Sequence, residues 1–518
     1  MSEKCMRQRA DQLKGQVHKM FEASKTMSAA HAEALVDTVE RLGIRRHFRD
    51  DINLALGRIR SEVEFESSND LHSIALRFRL LRQHGFWVSA DVFDKFKDGN
   101  GSFSIDLCGK TEDILSLYNA AHMAIPGETT LDDAIAFARQ HLEAVKGDLR
   151  SPLAEQVFRA LDIPLPRDME RLEAMHYVVE YEMVETHDAV LLELARLDFN
   201  FVRSAQLKEL HDLSIWWRAL YDRVKLSYSR DRIVEMYFWS IGMVPWEENS
   251  RARIILTKII ALATLMDDTY DVRASFEECE RFNEAIQRWE ESAVSILPDY
   301  LHALYMETLS HFKEFTDMMK PQEKQRISHL INDYKVQSKL YLQEAKWANE
   351  NIMPTFKEQA DVSLVSSFVP ALCLVALMGV EEEDLATKEA MEWALGMPEM
   401  YIGSGKIGRF LNDIASYKGG KNKKDVASCI ECYAKEYGVT LAEAAAAMSA
   451  MVEHAWRRMN QEYMEMDRAA LPAADIVLGI STVLEVMYLC GRDAYTVGRH
   501  LKHIIVPLLL EPVPVYNK

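Results

Sequence analysis

The chain has 518 residues, enough for about two to four domains of ordinary size, each with a sizeable core. Gly and Pro are scarce, at 21 and 14 residues, which favours long helices. The formal net charge of −19 argues against the clustered positive surface that binds a nucleic acid backbone. We therefore expect no nucleic acid partner.

The cysteines and the N-terminal residues indicate a cellular compartment. Seven cysteines are scattered along the chain, unlike the dense, even sets of secreted scaffolds. The first residues lack the apolar core of a signal peptide, and they include Glu3 and Asp11, which transit peptides avoid. We therefore expect a cytoplasmic protein.

Helical periodicity runs through most of the chain, as in the apolar positions Ile255, Ile259 and Leu262. Alternating patterns typical of strands are scarce. We predict an all-α protein with two helical domains, residues 1–205 and residues 206–518.

A basic pair, Arg230 and Arg232, opens the second predicted domain and precedes an apolar, aromatic run that contains Trp239. Guanidinium groups bind phosphate oxygens with paired hydrogen bonds and keep their charge. A single arginine of this kind is more often part of a surface ion pair. Together with Arg409, however, the pair indicates a site for a diphosphate.

The acidic sequence 267–271, Asp-Asp-Thr-Tyr-Asp, closes an apolar helical run. On a helix Asp267 and Asp271 share one face, whereas Asp268 lies about 100° away. Two carboxylates on one face repel each other unless a cation lies between them, and such hard oxygen ligands suit Mg²⁺. The alternative is a solvated acidic helix end, which the helix dipole disfavours. We favour the metal site.

One uncharged stretch, residues 362–380, approaches the length that spans a bilayer. Ser366, Ser367 and Pro370 interrupt it, and the central helix of a large bundle has the same apolar composition. We therefore expect no membrane span.

A second polar motif follows far along the chain, with Asn412, Asp413 and Ser416. Asn412 and Ser416 would lie on one helix face and offer two more oxygen ligands. Alone this signal is weak, because Asn and Ser commonly cap helices. Its value comes from its combination with the acidic sequence 267–271.

In this order and spacing, the pair at 230–232 and the motifs at 267–271 and 412–416 resemble those of class I plant terpene synthases of the sesquiterpene type. The resemblance extends over nearly the whole chain. It implies a C-terminal class I terpenoid synthase α-bundle and an N-terminal, α-barrel-like helical domain.

The resemblance also implies roles for individual residues. It implies three Mg²⁺ ions, which Mn²⁺ could replace, with four direct ligands and two supporting acids. The ligands are Asp267, Asp271, Asn412 and Ser416, and the supporting acids are Asp268 and Asp413. The diphosphate would be bound by Arg230, Arg232 and Arg409. The pocket would be lined, and the cation stabilised, by Trp239, Ser366, Ser367, Tyr488, Asp493 and Tyr495.

The implied reaction is the release of diphosphate from farnesyl diphosphate and the cyclisation or rearrangement of the cation to a sesquiterpene hydrocarbon or alcohol. The protein would be a carbon–oxygen lyase and a monomer. The alternatives are a synthase that uses geranyl diphosphate and an impaired paralogue that only binds prenyl diphosphates. A chain-elongating prenyltransferase is disfavoured, because its second motif would carry a set of aspartates.

The chain departs from the family pattern in two places. Gly420 stands where the second motif has a third ligand, a Glu. Either water replaces this carboxylate or the site is impaired, and we favour water because Mg²⁺ commonly keeps several waters. The leading segment with an Arg-Arg-x8-Trp pattern is also missing, since Arg45-Arg46 is followed by Ala55 at that spacing. A less well closed pocket would favour water capture and alcohols.

Overall fold

The computed structural model describes residues 2–61, 69–321, 324–380, 387–420 and 427–515. Over these ranges the chain is built from helices, and the only strand-like pairing is a bridge between Lys97 and Phe103. The prediction of an all-α fold is therefore confirmed.

The helices form two compact units. The first comprises Met1–Ser204, Arg457–Arg468 and Val506–Lys518, and the second comprises Ala205–Trp456 and Ala469–Ile505. The division falls within one long helix, α9 (Ala189–Val224).

The helices of the first unit that precede α9 are short to medium in length. They are α1 (Glu3–Ser24), α2 (Ala29–Arg41), α3 (Arg49–Ser61), α4 (Leu71–Gln83), α5 (Thr111–Ala121), α6 (Thr129–Val145), α7 (Leu153–Asp162) and α8 (Glu170–Glu182). The core lies around α4, α5 and α6, where Phe78 and Phe93 pack edge to face at 5.0 Å. Arg82 is buried beside them and ion-paired with Glu128, so its charge is compensated.

The helices of the second unit are on average longer. They are α10 (Ile233–Met243), α11 (Ser250–Asp268), α12 (Phe276–Arg288), α13 (Asp299–Met318), α14 (Lys324–Asn349), α15 (Phe356–Ser366), α16 (Val369–Gly379), α17 (Lys388–Leu395), α18 (Glu399–Gly419), α19 (Cys429–Tyr437), α20 (Leu441–Glu465), α21 (Leu471–Met487) and α22 (Lys502–Leu510). Helices α20 and α22 each extend into residues assigned to the first unit.

Helices α11 and α16 form the centre of the second unit. Nearly every residue of α16 is buried, and so is almost all of α11 from Ala252 to Met266. A side chain at Gly379 would come within 2.6 Å of the Ala252 backbone, so the glycine lets the two helices touch. This contact holds α11 against α16 near its start, while the acidic residues lie at its other end.

Two segments are long and apolar enough to cross a membrane, Phe356–Gly379 and Arg468–Gly491. They are 72% and 67% buried inside the protein, respectively. Core helices of globular proteins have this apolar composition because other helices surround them.

A buried ion pair connects α9 to α11. The Arg253 side chain is fully buried and donates to Glu209 with Nε at 2.8 Å and Nη2 at 2.7 Å. Tyr237 donates a further hydrogen bond to Glu209 at 2.7 Å, and the carbonyl of Val244 accepts from Arg253 at 2.8 Å. Each buried charge is thus satisfied, as burial requires.

We expect Glu209→Ala to lower the free energy of unfolding by about 3–5 kcal/mol, because Arg253 would be left charged and buried without its partner. Urea unfolding followed by tryptophan fluorescence would measure the change. The double replacement Glu209→Leu with Arg253→Met is the control and should be much less harmful. An equal loss in both variants would show that packing, rather than the unpaired charge, causes the effect.

Candidate active site

The first acidic motif lies where α11 changes its form. The α-helix ends at Asp268, and Thr269–Arg273 form a π-helical turn. The sequence argument assumed one regular helix through Asp271, which the structure corrects. A turn of this kind has one extra residue in its hydrogen-bonded ring and is frequent at functional sites. Asp267 and Asp271 still lie about one helical turn apart.

The two outer carboxylates of this motif are electrostatically strained. Desolvation raises the pKa of Asp267, although Arg230 and Arg409 act to lower it. Desolvation, followed by repulsion from Asp267 and Glu344, holds the pKa of Asp271 well above its usual value. The Asp271 side chain is exposed, so a ligand can reach it. The site thus concentrates negative charge that lacks a full counter-charge.

Asp268, predicted to support the metal ligands, anchors the segment before α10. The carboxylate is buried and accepts hydrogen bonds from the Ser229 hydroxyl and the Arg230 amide, both at 2.7 Å. The Arg230 guanidinium lies 2.8 Å from Asp268 and donates to Asp267 at 2.6 Å. Asp268 therefore fixes the position of Arg230 above the acidic motif.

The second motif lies on α18, beside Arg409. Arg409 donates to the Asn412 side-chain oxygen at 3.2 Å and to the Ser363 carbonyl at 3.3 Å. Asp413 is buried and accepts a hydrogen bond from the Cys429 amide at 2.7 Å, at the first residue of α19. Ser416 follows Asn412 by one helical turn and is half-buried.

Helix α18 ends just before the position of the missing third ligand. Its last residue is Gly419, and Gly420 has a φ of +75° and caps the helix through amide hydrogen bonds to Ser416 and Tyr417. This left-handed conformation suits glycine, which has no β-carbon to clash. Position 420 is thus outside the helix, and among the described residues no group beyond its chain neighbours lies within 4 Å of where its β-carbon would be.

The predicted break in the apolar run is present between α15 and α16. Helix α15 ends at Ser366, Ser367 caps it, and Phe368 adopts a φ of +63°. The Ser366 carbonyl accepts from the Gln337 amide, and the Ser367 hydroxyl donates to the Leu364 carbonyl at 2.7 Å. Both serines thus lie at a change of helix direction next to α14.

Glu344 on α14 is a site residue that the sequence analysis missed. It accepts a hydrogen bond from the Ser366 hydroxyl at 3.1 Å. Burial raises its pKa to about 7, opposed by Arg409 and assisted by Asp267. Glu344 therefore interacts with both motifs. Gln337, Tyr341 and Glu344 recur at helical spacing, and this polar stripe was the signal in the sequence that could have revealed it.

The predicted aromatic residues are buried near the arginines. Trp239 and Tyr495 pack with ring centroids 5.3 Å apart, and Arg230 lies over the Tyr495 ring at 5.1 Å. The Tyr495 hydroxyl pairs with Thr264 at 2.5 Å. Burial also raises the pKa of Tyr488, which Arg409 and Arg230 act to lower. The aromatic groups therefore lie within electrostatic reach of both arginines.

The loop that carries Tyr495 is held by two of the predicted residues. Arg232 donates to the carbonyl of Tyr495 at 3.1 Å and to that of Thr496 at 2.7 Å. The Asp493 carboxylate accepts from the Thr496 amide at 2.8 Å. Through these hydrogen bonds, Arg232 and Asp493 hold the loop in place.

Comparisons with known proteins identify the family. Residues 1–161 match the family described as terpene synthase, N-terminal domain, and residues 218–458 match the terpene synthase family, metal binding domain. A eudesmanediol synthase of Zea mays is 52% identical over 515 residues, which are 99% of this chain and 92% of that protein. The chain belongs to the terpene synthase family. It is therefore an enzyme, a lyase that acts on prenyl diphosphates, as predicted.

Further relatives agree with this assignment. An alpha-copaene synthase of Zea mays is 43% identical, over 98% of this chain and 96% of that protein. The structure of isoprene synthase from grey poplar leaves, in complex with three Mg²⁺ ions and dimethylallyl-S-thiolodiphosphate, matches with a TM-score of 0.90. That match has 31% identity and covers 99% of this chain and 98% of the other. The prediction of the class I terpenoid synthase fold is confirmed.

The donor groups of the synthase fit a divalent metal. Asp267, Asp271 and Glu344 are oxygen donors whose mutual repulsion a cation would relieve, which is the chemistry that Mg²⁺ prefers. Among the described residues, no three His, Cys, Asp or Glu side chains converge closely enough to hold a metal alone. Mg²⁺ typically binds to one or two carboxylates, with substrate phosphates and water completing the shell.

Mg²⁺ binding should strengthen as pH rises from about 6 to 8. Glu344 has a pKa raised to about 7, so at pH 6 a metal must displace its proton, whereas at pH 8 the carboxylate is already charged. Calorimetric titration of Mg²⁺ in buffers of different ionisation enthalpy would measure the released protons. Glu344→Gln keeps the acceptor for Ser366 and should release fewer protons. Equal proton release in both proteins would exclude Glu344 from this linkage.

Proposed function

We propose that the synthase ionises farnesyl diphosphate with Mg²⁺ and converts the allylic cation into a sesquiterpene hydrocarbon or alcohol, releasing diphosphate. The observation that supports this most is the convergence of the two motifs. Arg409, from the second motif, acts on the pKa of Asp267 in the first and of Glu344 on α14. Residues far apart in sequence thus share one electrostatic environment.

The bound metal ions, three by this proposal and replaceable by Mn²⁺, would supply positive charge to the leaving diphosphate. Asp267 and Asp271 would hold two of them, and Asn412 and Ser416 the third. Asp268 and Asp413 would support these ligands by fixing the adjoining backbone, since both carboxylates accept main-chain amides.

The arginines would bind the diphosphate. Arg230 and Arg409 are held beside the acids by ion pairs and hydrogen bonds, so they are placed before substrate arrives. Arg232 would have to exchange its contacts with the carbonyls of Tyr495 and Thr496 for phosphate oxygens. Since those carbonyls belong to the loop that carries Tyr495, we expect diphosphate binding to move that loop.

The apolar part of the site would stabilise the cation. Trp239, Tyr488 and Tyr495 offer aromatic faces, which attract positive charge when water is excluded. The break after Ser366 and Ser367 would present carbonyl oxygens of the same helix to the cation. Asp493 would keep the loop with Tyr495 ordered through its bond to the Thr496 amide.

The choice of a fifteen-carbon substrate is supported by the relatives. Eudesmanediol, copaene and cadinol, which appear in the names of proteins that are 52% and 43% identical to this chain, have fifteen-carbon skeletons. A limonene synthase structure, named for a ten-carbon product, matches at only 27% identity. Two of these names denote alcohols, which agrees with water capture.

We further propose that residues 206–518 form the catalytic domain and residues 1–205 an N-terminal helical domain. We also propose that the enzyme acts as a monomer in the cytoplasm and spans no membrane. The cysteines that the structure describes in full are all free, as a reducing compartment favours.

A second candidate function, an impaired prenyl diphosphate binder, is favoured by one observation. The second motif has Gly420 in place of a carboxylate, and the helix ends there. Geranyl diphosphate is the alternative substrate for an active enzyme.

Gas chromatography with mass detection, after incubation with farnesyl or geranyl diphosphate and Mg²⁺, separates these possibilities. We expect a sesquiterpene from farnesyl diphosphate, and we expect Asp271→Asn to lower its rate by about 100-fold or more because a charged ligand is lost. Asp299→Asn, at an exposed acid in the same unit, is the matched control and should keep full activity. Product from geranyl diphosphate alone would favour the ten-carbon alternative, and the absence of any product from folded protein would favour the impaired one.

Gly420→Glu should lower the Mg²⁺ concentration that gives half-maximal rate, because it restores a carboxylate to the second motif. The substitution also strains the left-handed conformation, by about 1–2 kcal/mol. Gly420→Ala carries the same strain without the carboxylate, so it controls for changes at the helix end. An unchanged Mg²⁺ requirement, or an equal shift with Ala, would contradict this account.

A further inference from the structure

The first unit contains a cavity that the proposed reaction does not use. Its volume is about 160 Å³, and all the residues that line it belong to this unit. They come from α2, α4, α5, α7 and α8 and from the segment between α7 and α8. A cavity of this size can hold a benzene ring.

Most charges around the cavity are paired with each other. Arg79 is paired with Asp37, and Arg41 donates to Glu173 at 2.8 Å. Arg159 directs its terminal nitrogens to Glu173, at 3.3 Å, and to Glu180. Each of these three arginines therefore forms an ion pair with a carboxylate of the protein, and none of them is available to pair with a further acid.

Asp168 is the half-buried carboxylate left without a cation. Within the described part of the chain its carboxylate accepts one hydrogen bond, from the Met169 amide at 2.7 Å. The other acid of the lining that has no ion pair, Glu112, is exposed and can be solvated by bulk water. Burial, and then repulsion from Glu173, raises the pKa of Asp168 to about 7, against a lowering effect of Arg159.

The rest of the lining is mainly apolar. Leu76, Leu115 and Leu153 contribute to it, together with Ala160, Ile163 and Leu165. The polar side chains of the lining include partners for each other, since His72 pairs with Ser116 at 2.7 Å. The cavity therefore combines one carboxylate that lacks an ion-pair partner with an apolar part of its lining that could contact hydrocarbon.

We propose that this cavity is a binding site for a small organic monocation, an amine whose ammonium group pairs with Asp168 and whose hydrocarbon part lies against the leucines. An anion would be repelled by Asp168. A divalent metal would need more oxygen ligands than one carboxylate supplies. A charged hydrogen bond to a carboxylate inside a cavity is strong enough to give measurable selectivity over a neutral molecule of the same shape.

Benzylamine, protonated at the pH values used, is a suitable probe, and benzyl alcohol is its neutral counterpart. Calorimetric titration of the full chain at pH 8 should show benzylamine binding about tenfold more tightly than benzyl alcohol. Asp168→Asn should remove this difference, because it keeps the shape and loses the charge. Asp162→Asn, at an exposed acid six residues earlier, is the matched control and should leave it unchanged.

The pH dependence provides a second measurement that needs no variant. Benzylamine binding should weaken from pH 8 to pH 6, as Asp168 takes up its proton. The other charged or titratable groups that face the cavity are Glu112 and His72, the paired Arg41, Arg79 and Arg159, and the carboxylates of Asp37 and Glu173, and all of them contribute to its electrostatic potential. The Asp168→Asn variant separates these contributions, because only the part due to Asp168 disappears in it.

Equal affinity for the amine and the alcohol would overturn the proposal, and so would amine binding that survives Asp168→Asn. The latter result would place the amine elsewhere, for example among the carboxylates of the active site. Absence of binding at either pH would also overturn it. None of these outcomes depends on turnover of a prenyl diphosphate, so the test is independent of the proposed function.

Discussion

Repulsion among neighbouring carboxylates is the constraint on which the active site depends. Asp267, Asp271 and Glu344 come from α11, its π-helical turn and α14, and each keeps its proton to a higher pH than an isolated acid would. Two arginines, Arg230 and Arg409, offset part of this charge. The folded protein thus carries an unfavourable arrangement at the end of its central helix, which the packing of α11 against α16 holds in place and which a divalent cation would relieve.

The two motifs share one structural device. In each, the second residue is a buried aspartate that accepts a hydrogen bond from a main-chain amide: Asp268 from Arg230, and Asp413 from Cys429 at the start of α19. Carboxylates with such bonds are fixed and cannot turn toward a ligand without leaving a buried amide unpaired. The first residue of each motif, Asp267 or Asn412, instead accepts a hydrogen bond from an arginine side chain, Arg230 or Arg409. Helical spacing already places Asp268 on a different face from Asp267, and the burial of Asp268 and Asp413 agrees with the supporting position predicted for both.

How much the sequence could predict depended on how local each signal was. Helix periodicity and the run of apolar residues ending at Asp267 were enough for the all-α fold, since both reflect burial of one helix face. Glu344 was missed because its role depends on contacts with Ser366 and Arg409, which approach it from other helices. The π-helical turn was also invisible, because apolar periodicity does not distinguish an α-helical end from one extra residue in a turn.

Gly420 affects the second motif because helix α18 ends there, and not because neighbouring groups limit the size of its side chain. The described residues leave room for a side chain at this position, so their packing does not exclude a carboxylate. What prevents a glutamate from reaching the face of Asn412 and Ser416 is the end of α18, where two glycines favour termination and Gly420 turns left-handed. Replacing Gly420 with Glu removes one of the residues that favour this end, so α18 can extend by one residue and bring the carboxylate toward the second motif. If the second motif binds a metal as proposed, the strength of that binding is therefore coupled to the stability of the last turn of α18.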